Sequence, residues 1–236
     1  VGQKGYVVNN LYFDTPDMRF YTDTKFRKMT RYKPRVRFYG DQIGEFIWPE
    51  IKYRHGSIIW KHRQPLRSEK WPELFAVQPS KNRYPQIKSG IDSFQEMIYW
   101  HNASPTVHVR YFREAYVSTL EEYGRITFDR RLSYCPLYGS IDLRQREQEM
   151  IYYDDPVTTV SNCSYLIMEI KVETLMPYWV VNMIKQFQLE QRPFSKYCYS
   201  IDHMLGNTPS ERNFPRSHFH ISGSARQKHQ RFKENI

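Results

Sequence analysis

Cysteine is scarce in this 236-residue sequence. Its three cysteines, Cys135, Cys163 and Cys198, are odd in number, widely spaced and without a Cys-x-x-Cys pair. This pattern argues against a disulfide framework and against a structural zinc site. A chain of this length buries a sufficient core without disulfides. We therefore expect reduced thiols and a cytoplasmic location.

Long apolar runs and glycine are also lacking. The longest apolar runs, such as residues 165–168 and 178–181, are far shorter than the roughly 18 to 20 residues that span a bilayer. No signal-peptide pattern is found either, so we expect no transmembrane segment. Only 10 residues are Gly, whereas 19 are Tyr, 14 are Phe and 5 are Trp. This balance favours strands with large side chains over disorder.

Positive charge dominates the sequence. Lys and Arg number 35 against 25 Asp and Glu, which gives a net charge of +10 with neutral histidines. Residues 25–70 hold 13 Lys or Arg against 4 Asp or Glu, an excess of nine positive charges. A weaker excess lies in residues 206–236. We expect one domain over residues 1–205, followed by a basic C-terminal tail over residues 206–236.

Charged residues alternate with apolar ones in most predicted strands. Because successive side chains of a strand point to opposite faces, Lys33, Arg35 and Arg37 share one face, opposite Val36 and Phe38. The same alternation assigns to charged faces Glu50, Lys52, Arg54, Lys61, Arg63, Arg113, Arg125, Asp129, Glu169, Lys171 and Glu173. Helical spacing predicts helices over residues 92–100 and 176–190, with others starting near Asp14 and at Ser195. The sequence therefore indicates an α+β protein with an antiparallel sheet.

Two arrangements satisfy this alternation. In the simpler one, an antiparallel sheet turns one polar face to water. However, cations directly opposite one another on neighbouring strands repel, and few carboxylates lie between them. If the sheet closes into a barrel with its charged faces inward, the result is a basic tunnel that suits a polyanion. We favour the tunnel.

Seven short motifs occur in a fixed order along the chain. They are LYFDTPD (11–17), RVRFYG (35–40), EIK (50–52), YFR (111–113), RITFD (125–129), MEIK (168–171) and FSKY (194–197). The series resembles the polyphosphate polymerase domain of the vacuolar transporter chaperone (VTC) family. The relatives of this domain are the triphosphate tunnel metalloenzymes, or CYTH proteins. The resemblance covers residues 10–205.

The resemblance implies both a fold and a site. The fold would be an antiparallel tunnel barrel of about eight strands with a charged lumen and helices packed on the outside. The expected tunnel cations are Arg35, Arg37, Lys52, Lys61, Arg113, Arg125 and Lys196. The expected phosphate contacts are Lys33, Tyr111, Lys171, Ser195 and Arg192, the last beside Pro193, where the family usually carries Lys. Glu169 would be the metal carboxylate.

The implied activity is transfer of the γ-phosphoryl group of ATP to inorganic polyphosphate, with Mn²⁺ or Mg²⁺ as cofactor. We therefore expect ATP and polyphosphate as partners, and no nucleic acid. Two alternatives within the superfamily remain: a triphosphate hydrolase and a non-catalytic polyphosphate-binding module. The opening strand of the hydrolytic relatives, with its Glu-x-Glu-x-Lys signature, is not seen in this sequence. A nucleic-acid-binding protein also fits the charge, but the strict alternation of cations on strands favours the tunnel.

Overall fold

The described residues form one large sheet and five α-helices. The computed structural model describes residues 5–76, 90–117, 124–142, 147–153, 166–172, 176–191 and 193–206. The strands are β1 (Tyr6–Asp14), β2 (Thr30–Tyr39), β3 (Phe46–His55), β4 (Ile58–Arg63), β5 (Leu66–Arg67), β6 (Ser104–Val117), β7 (Gly124–Pro136), β8 (Ile151–Tyr152) and β9 (Ile167–Val172). The helices are α1 (Arg19–Lys25), α2 (Glu73–Ala76), α3 (Gly90–Trp100), α4 (Tyr178–Gln186) and α5 (Lys196–Met204).

All strand pairs of the sheet are antiparallel. The order is β4-β3-β2-β1-β6-β7-β8, with β5 paired to β3 and β9 paired to β7. The predicted α+β tunnel architecture is confirmed, although the sheet is not closed: within the described ranges, β4 at one edge does not pair with β8 or β9 at the other. Lys52 of β3 nevertheless interacts electrostatically with Glu169 and Lys171 of β9, at the other end of the strand order. The sheet therefore curves so that its two ends face each other.

The outer face of β1, β2 and β3 carries one hydrophobic core. Phe94 and Ile98 of α3 belong to the same buried cluster as Leu11, Phe38 and Ile51. These apolar side chains alternate along their strands with the charged ones, as the sequence predicts. Helix α3 therefore covers the outside of the sheet.

A second core lies on the inner face. Tyr12 of β1 is opposite both Arg35 of β2 and Val107 of β6, so all three share that face. Tyr197 of α5 stacks on the Tyr12 ring, with 4.8 Å between ring centroids, and Ile201 is fully buried in the same cluster. Helix α3 thus packs on the outside as expected, whereas α5, whose Lys196 was expected among the tunnel cations, packs on the inner face. The inner face is apolar at one end, and burying those side chains requires a cover.

Asp14 connects the first motif to the last. Its buried carboxylate accepts hydrogen bonds from the backbone N–H groups of Thr15, Phe20 and Tyr21, near the start of α1, and from the Tyr197 hydroxyl. Burial raises the pKa of Asp14 although these hydrogen bonds oppose the shift. One carboxylate thus fixes α1 and α5 to the end of β1. Within the described ranges, no helix has the length and hydrophobicity needed to cross a membrane.

Candidate functional site

Neighbouring strands place their charged residues in rows across the inner face. Arg35 of β2 lies opposite Glu50 of β3, which lies opposite Arg63 of β4. Two residues further along each strand, on the same face, Lys33 lies opposite Lys52, and Lys52 lies opposite Lys61. These rows confirm the faces that strand alternation predicts. The second row consists of cations alone, so an anion would relieve its repulsion.

Glu50 is the central residue of the first row, which consists of Arg35, Glu50 and Arg63. Its side chain is 1% exposed, and its carboxylate lies 2.6 Å from an Arg35 Nη, 3.3 Å from the Lys61 Nζ and 3.2 Å from the Arg63 Nε. Burial by itself would raise the pKa of Glu50, but Arg35 and the other surrounding cations lower it to about 2. The sequence placed Glu50 on the charged face and did not predict that this one carboxylate would pair with three cations from the two neighbouring strands, β2 and β4.

We call the space enclosed by the inner face the channel. A second buried carboxylate, Asp129, lies on the side of the channel formed by β6 and β7. Both Asp129 oxygens pair with the Arg113 guanidinium, at 2.6 and 2.8 Å, and one lies 2.7 Å from the Lys196 Nζ. Glu169 is 3.5 Å from an Arg113 Nη and 3.3 Å from the Lys171 Nζ. Bidentate pairing fixes the plane of a guanidinium. Asp129 therefore orients Arg113 and binds Lys196 of α5 to the sheet.

The Tyr111 ring supports the same two cations. The Lys196 Nζ lies 4.7 Å from the ring centroid, and the Arg113 guanidinium carbon lies 5.3 Å from it. A cation over an aromatic ring is attracted by the negative charge of the ring face. Tyr111 is buried, so this contact gives it a role in holding cations besides the phosphate contact that the resemblance implies.

The N-terminus of α5 meets the cation row of β2. Ser195 is the N-cap, and its hydroxyl oxygen accepts hydrogen bonds from the Cys198 N–H, at 3.3 Å, and from the Lys33 Nζ, at 3.2 Å. This confirms the predicted cap. Burial, together with the nearby Lys52, lowers the pKa of Lys33 to about 8. The charge of Lys33 therefore changes within about one pH unit of neutrality.

The remaining predicted site residues lie on the same face, with one exception. The Arg37 Nε donates to the Asn10 side-chain oxygen at 2.8 Å, and an Arg125 Nη donates to the Tyr6 hydroxyl at 3.3 Å. Arg125 lies opposite Lys171. Arg192 lies outside the described residues. The structure therefore gathers the described members of the predicted site into one channel, and the position of Arg192 stays a prediction.

Comparison with known protein families shows to which family this chain belongs. The model of the VTC domain family matches residues 2–205. The chain belongs to the VTC domain family. No curated protein matches it.

Two solved structures are similar to this VTC domain. One is a proposed adenylate cyclase from Bacillus halodurans, with 14% identity, a TM-score of 0.45 and coverage of 81% of this chain and 79% of that chain. The other is a proposed adenylyl cyclase from Hippeastrum with a dominant triphosphatase activity; identity is 13%, the TM-score 0.43, and coverage 90% and 88%.

The channel of the VTC domain keeps a positive excess after its internal ion pairs are counted. Among the described residues, the carboxylates on the inner face are Glu50, Asp129 and Glu169. The cations on it are Arg31, Lys33, Arg35, Arg37, Lys52, Arg54, Lys61, Arg63, Arg113, Arg125, Lys171 and Lys196. Strand alternation had assigned all three carboxylates to the charged faces. They pair with Arg35, Arg63 and Arg113, and the twelve cations still exceed the three carboxylates by nine positive charges.

The donor atoms available to a metal are few. In the described part of the chain, no three His, Cys, Asp or Glu side chains are grouped as metal ligands. Glu169 is the accessible inner carboxylate, with 41% of its side chain exposed. Burial would raise the pKa of Glu169, but Lys171, Lys196 and Arg113 lower it. One ionised carboxylate fits Mg²⁺ or Mn²⁺ when phosphate oxygens and water supply the other ligands.

Phosphate binding should change the protonation of Lys33. Because the pKa of Lys33 is about 8, much of its amine is neutral at pH 9, and a phosphate nearby favours the charged form. We expect the protein to take up more protons at pH 9 than the Lys33→Arg variant does when each binds tripolyphosphate without metal. Calorimetry in buffers of different ionisation enthalpy measures this uptake. Protons taken up by the phosphate itself are common to both proteins. Equal proton uptake by the two proteins would therefore show that Lys33 does not contact the bound phosphate.

Proposed function

We propose that this VTC domain is an ATP-dependent polyphosphate polymerase that transfers the γ-phosphoryl group of ATP to a growing polyphosphate chain. The observation that carries the proposal is the continuous cationic inner face, which runs from Lys33 on β2 to Lys196 at the start of α5. A polymerase must hold a polymer and a nucleotide together, so it needs cations at several depths. Membership of the VTC family supports the same function.

Arginine and lysine have different tasks in this mechanism. Phosphoryl transfer depends mainly on positioning and on neutralising charge. The guanidiniums of Arg35 and Arg37 can bind two phosphate oxygens at once, whereas Lys52 and Lys61 act as point charges along the polymer. The acceptor is a terminal phosphate that is already ionised at neutral pH, so no general base is needed.

The carboxylates of the channel determine which N–H groups of the arginines remain free to bind a phosphate. Arg35 uses its Nε and one Nη on Glu50 and the other Nη on the Tyr12 hydroxyl. A guanidinium has five N–H groups, so Arg35 keeps two for a phosphate. Since Glu50 and Tyr12 hold its plane, binding costs little side-chain entropy. The free N–H groups at the start of α5, beside Ser195, favour an anion at the same place.

Glu169 is the residue that would hold a divalent metal. When bound, the metal would neutralise charge on the phosphate oxygens of ATP. Glu169 would contribute one oxygen ligand, and Lys171 and Arg113, both within 3.5 Å of its carboxylate, would keep it ionised and oriented. The buried carboxylates Glu50 and Asp129 stay occupied by their arginine partners.

Replacing Glu169 by Gln tests this assignment, because Gln is nearly isosteric and removes only the charge. We expect the rate of phosphoryl transfer at a fixed metal concentration to fall at least about tenfold, with a weaker loss of ATP binding in the absence of metal. Rates titrated with Mn²⁺ and binding measured by calorimetry separate the two effects. Glu147→Gln, an exposed substitution, is the control. An unchanged metal dependence would make Glu169 a structural partner of Lys171.

The decisive test of the function is the product. The protein is incubated with γ-labelled ATP and Mn²⁺ or Mg²⁺, and the products are separated on a gel that resolves long polyphosphate from orthophosphate. We expect a polymer ladder that forms faster than free phosphate. Label found only in orthophosphate would identify a hydrolase, and binding of polyphosphate without turnover of ATP would identify a binding module.

A further inference from the structure

Two loops at one end of the sheet expose a group of large apolar side chains. In the loop between α1 and β2, Phe26 is 71% exposed and Met29 is 67% exposed. At the start of β4, directly after the turn that joins it to β3, Ile58 and Ile59 are 52% and 48% exposed. Single exposed apolar residues are common on protein surfaces, but a cluster in adjacent loops indicates an interaction surface.

The two loops form one surface. The Gly56 N–H donates to the Met29 carbonyl oxygen at 3.0 Å, and the Thr30 hydroxyl pairs with the His55 Nδ1 at 2.8 Å. The strand register places Thr30 opposite His55, and His55 opposite Ile58. The segment that carries Met29 and the hairpin that carries Ile58 are therefore held together rather than independent. We call this surface the tip; it comprises residues 26–31 and 54–59.

The tip also gathers three arginines. The pKa of Arg31 is lowered first by burial and then by the neighbouring Arg54 and Arg27. The Arg31 Nη1 donates to the Lys28 carbonyl oxygen, and the Arg54 Nε donates to the Gly56 carbonyl oxygen. Within the described ranges, no carboxylate forms a salt bridge with any of the three arginines. The repulsion between them therefore persists until an anion binds.

The chemistry of the tip selects its partner. A free anion would neutralise the arginines and leave Phe26 and Met29 in water. An apolar protein surface would cover Phe26 and Met29 and leave the arginines without a counter-charge. A bilayer with anionic headgroups supplies both, since side chains such as these enter the acyl boundary while arginines contact the phosphates above it.

We propose that the tip binds the surface of an anionic phospholipid bilayer, with Phe26, Met29 and Ile58 inserted and Arg27, Arg31 and Arg54 against the headgroups. This inference does not depend on the proposed polymerase function. The substitutions that test it lie outside the channel, so catalysis should be unaffected by them.

Vesicle sedimentation provides the test. The probes are vesicles of phosphatidylcholine alone and vesicles that contain about 30% phosphatidylserine. We expect binding to the anionic vesicles only. The Arg27→Gln variant should bind about fivefold more weakly, because one basic residue near such a surface contributes about 1 kcal/mol. The Phe26→Ser variant should bind at least about tenfold more weakly, because an inserted aromatic side chain is lost.

Matched controls separate the tip from the rest of the basic molecule. Tyr178→Ser removes an aromatic side chain that is 78% exposed on α4, and Arg131→Gln removes an exposed arginine of β7. Both should bind vesicles like the parent protein. Equal binding of the Phe26→Ser and Tyr178→Ser variants would overturn the proposal, as would equal binding to neutral and anionic vesicles. Loss of binding in the Arg27→Gln variant alone would also overturn it, by showing a simple anion site without insertion.

Discussion

Replacing Glu50 by Gln is expected to lower the free energy of unfolding at pH 7 by about 3 kcal/mol. The carboxylate is 1% exposed and pairs with Arg35, Lys61 and Arg63. Without its charge, three cations of neighbouring strands repel one another in a partly desolvated place. Denaturant unfolding followed by circular dichroism measures the change.

The pH dependence of this effect follows from the pKa of Glu50. The pKa falls from 4.5 to about 2 on folding, so the ionised carboxylate stabilises the fold fully above pH 4.5. This stabilisation is lost as the pH falls from 4.5 towards 2, so the difference between the protein and its Glu50→Gln variant should shrink over that range. Glu45→Gln, which removes an exposed pair with Arg67, should change stability by less than about 0.5 kcal/mol. Similar losses for Glu45→Gln and Glu50→Gln would contradict the role assigned to Glu50.

Replacing Arg35 by Lys is expected to reduce kcat/KM for polyphosphate synthesis at least about 100-fold. Lys keeps the positive charge beside Glu50, so the unfolding free energy should fall by less than in the Glu50→Gln variant. It lacks the planar fork that contacts Glu50, Tyr12 and a phosphate at the same time. A continuous assay of ATP consumption together with a polymer gel measures the loss.

A control variant is needed to assign the loss of activity to the position of Arg35 in the channel. Arg67→Lys is the matched control, because Arg67 is an exposed arginine paired with Glu45 outside the channel. Its activity should equal that of the parent protein. Near-normal turnover and ATP affinity in the Arg35→Lys variant would show that charge alone is enough at this position, and Arg35 would then be an electrostatic contributor rather than a bidentate phosphate ligand.

The corrections to the sequence-based expectations concern long-range packing. Strand alternation placed Arg35, Lys52 and Glu169 on charged faces, and the structure confirms that these faces line one channel. Helix periodicity predicted α3 and α5 close to their observed positions, but it could not decide which face of the sheet each covers. Helix α5 packs on the inner face because Tyr12 and Val107 there need an apolar cover.

The sequence by itself determined the strand faces, the Ser195 cap and the family, because each of these depends on residues close together in the chain. The tertiary structure alone decided the partners of the charged groups. Asp129 meets Lys196, and the hydroxyl of Tyr197 reaches Asp14, across long stretches of chain. Such contacts depend on the register and curvature of the whole sheet, which no local spacing specifies. The physical reason is that a periodic pattern fixes the direction of a side chain, whereas its partner depends on which distant segment folds against it.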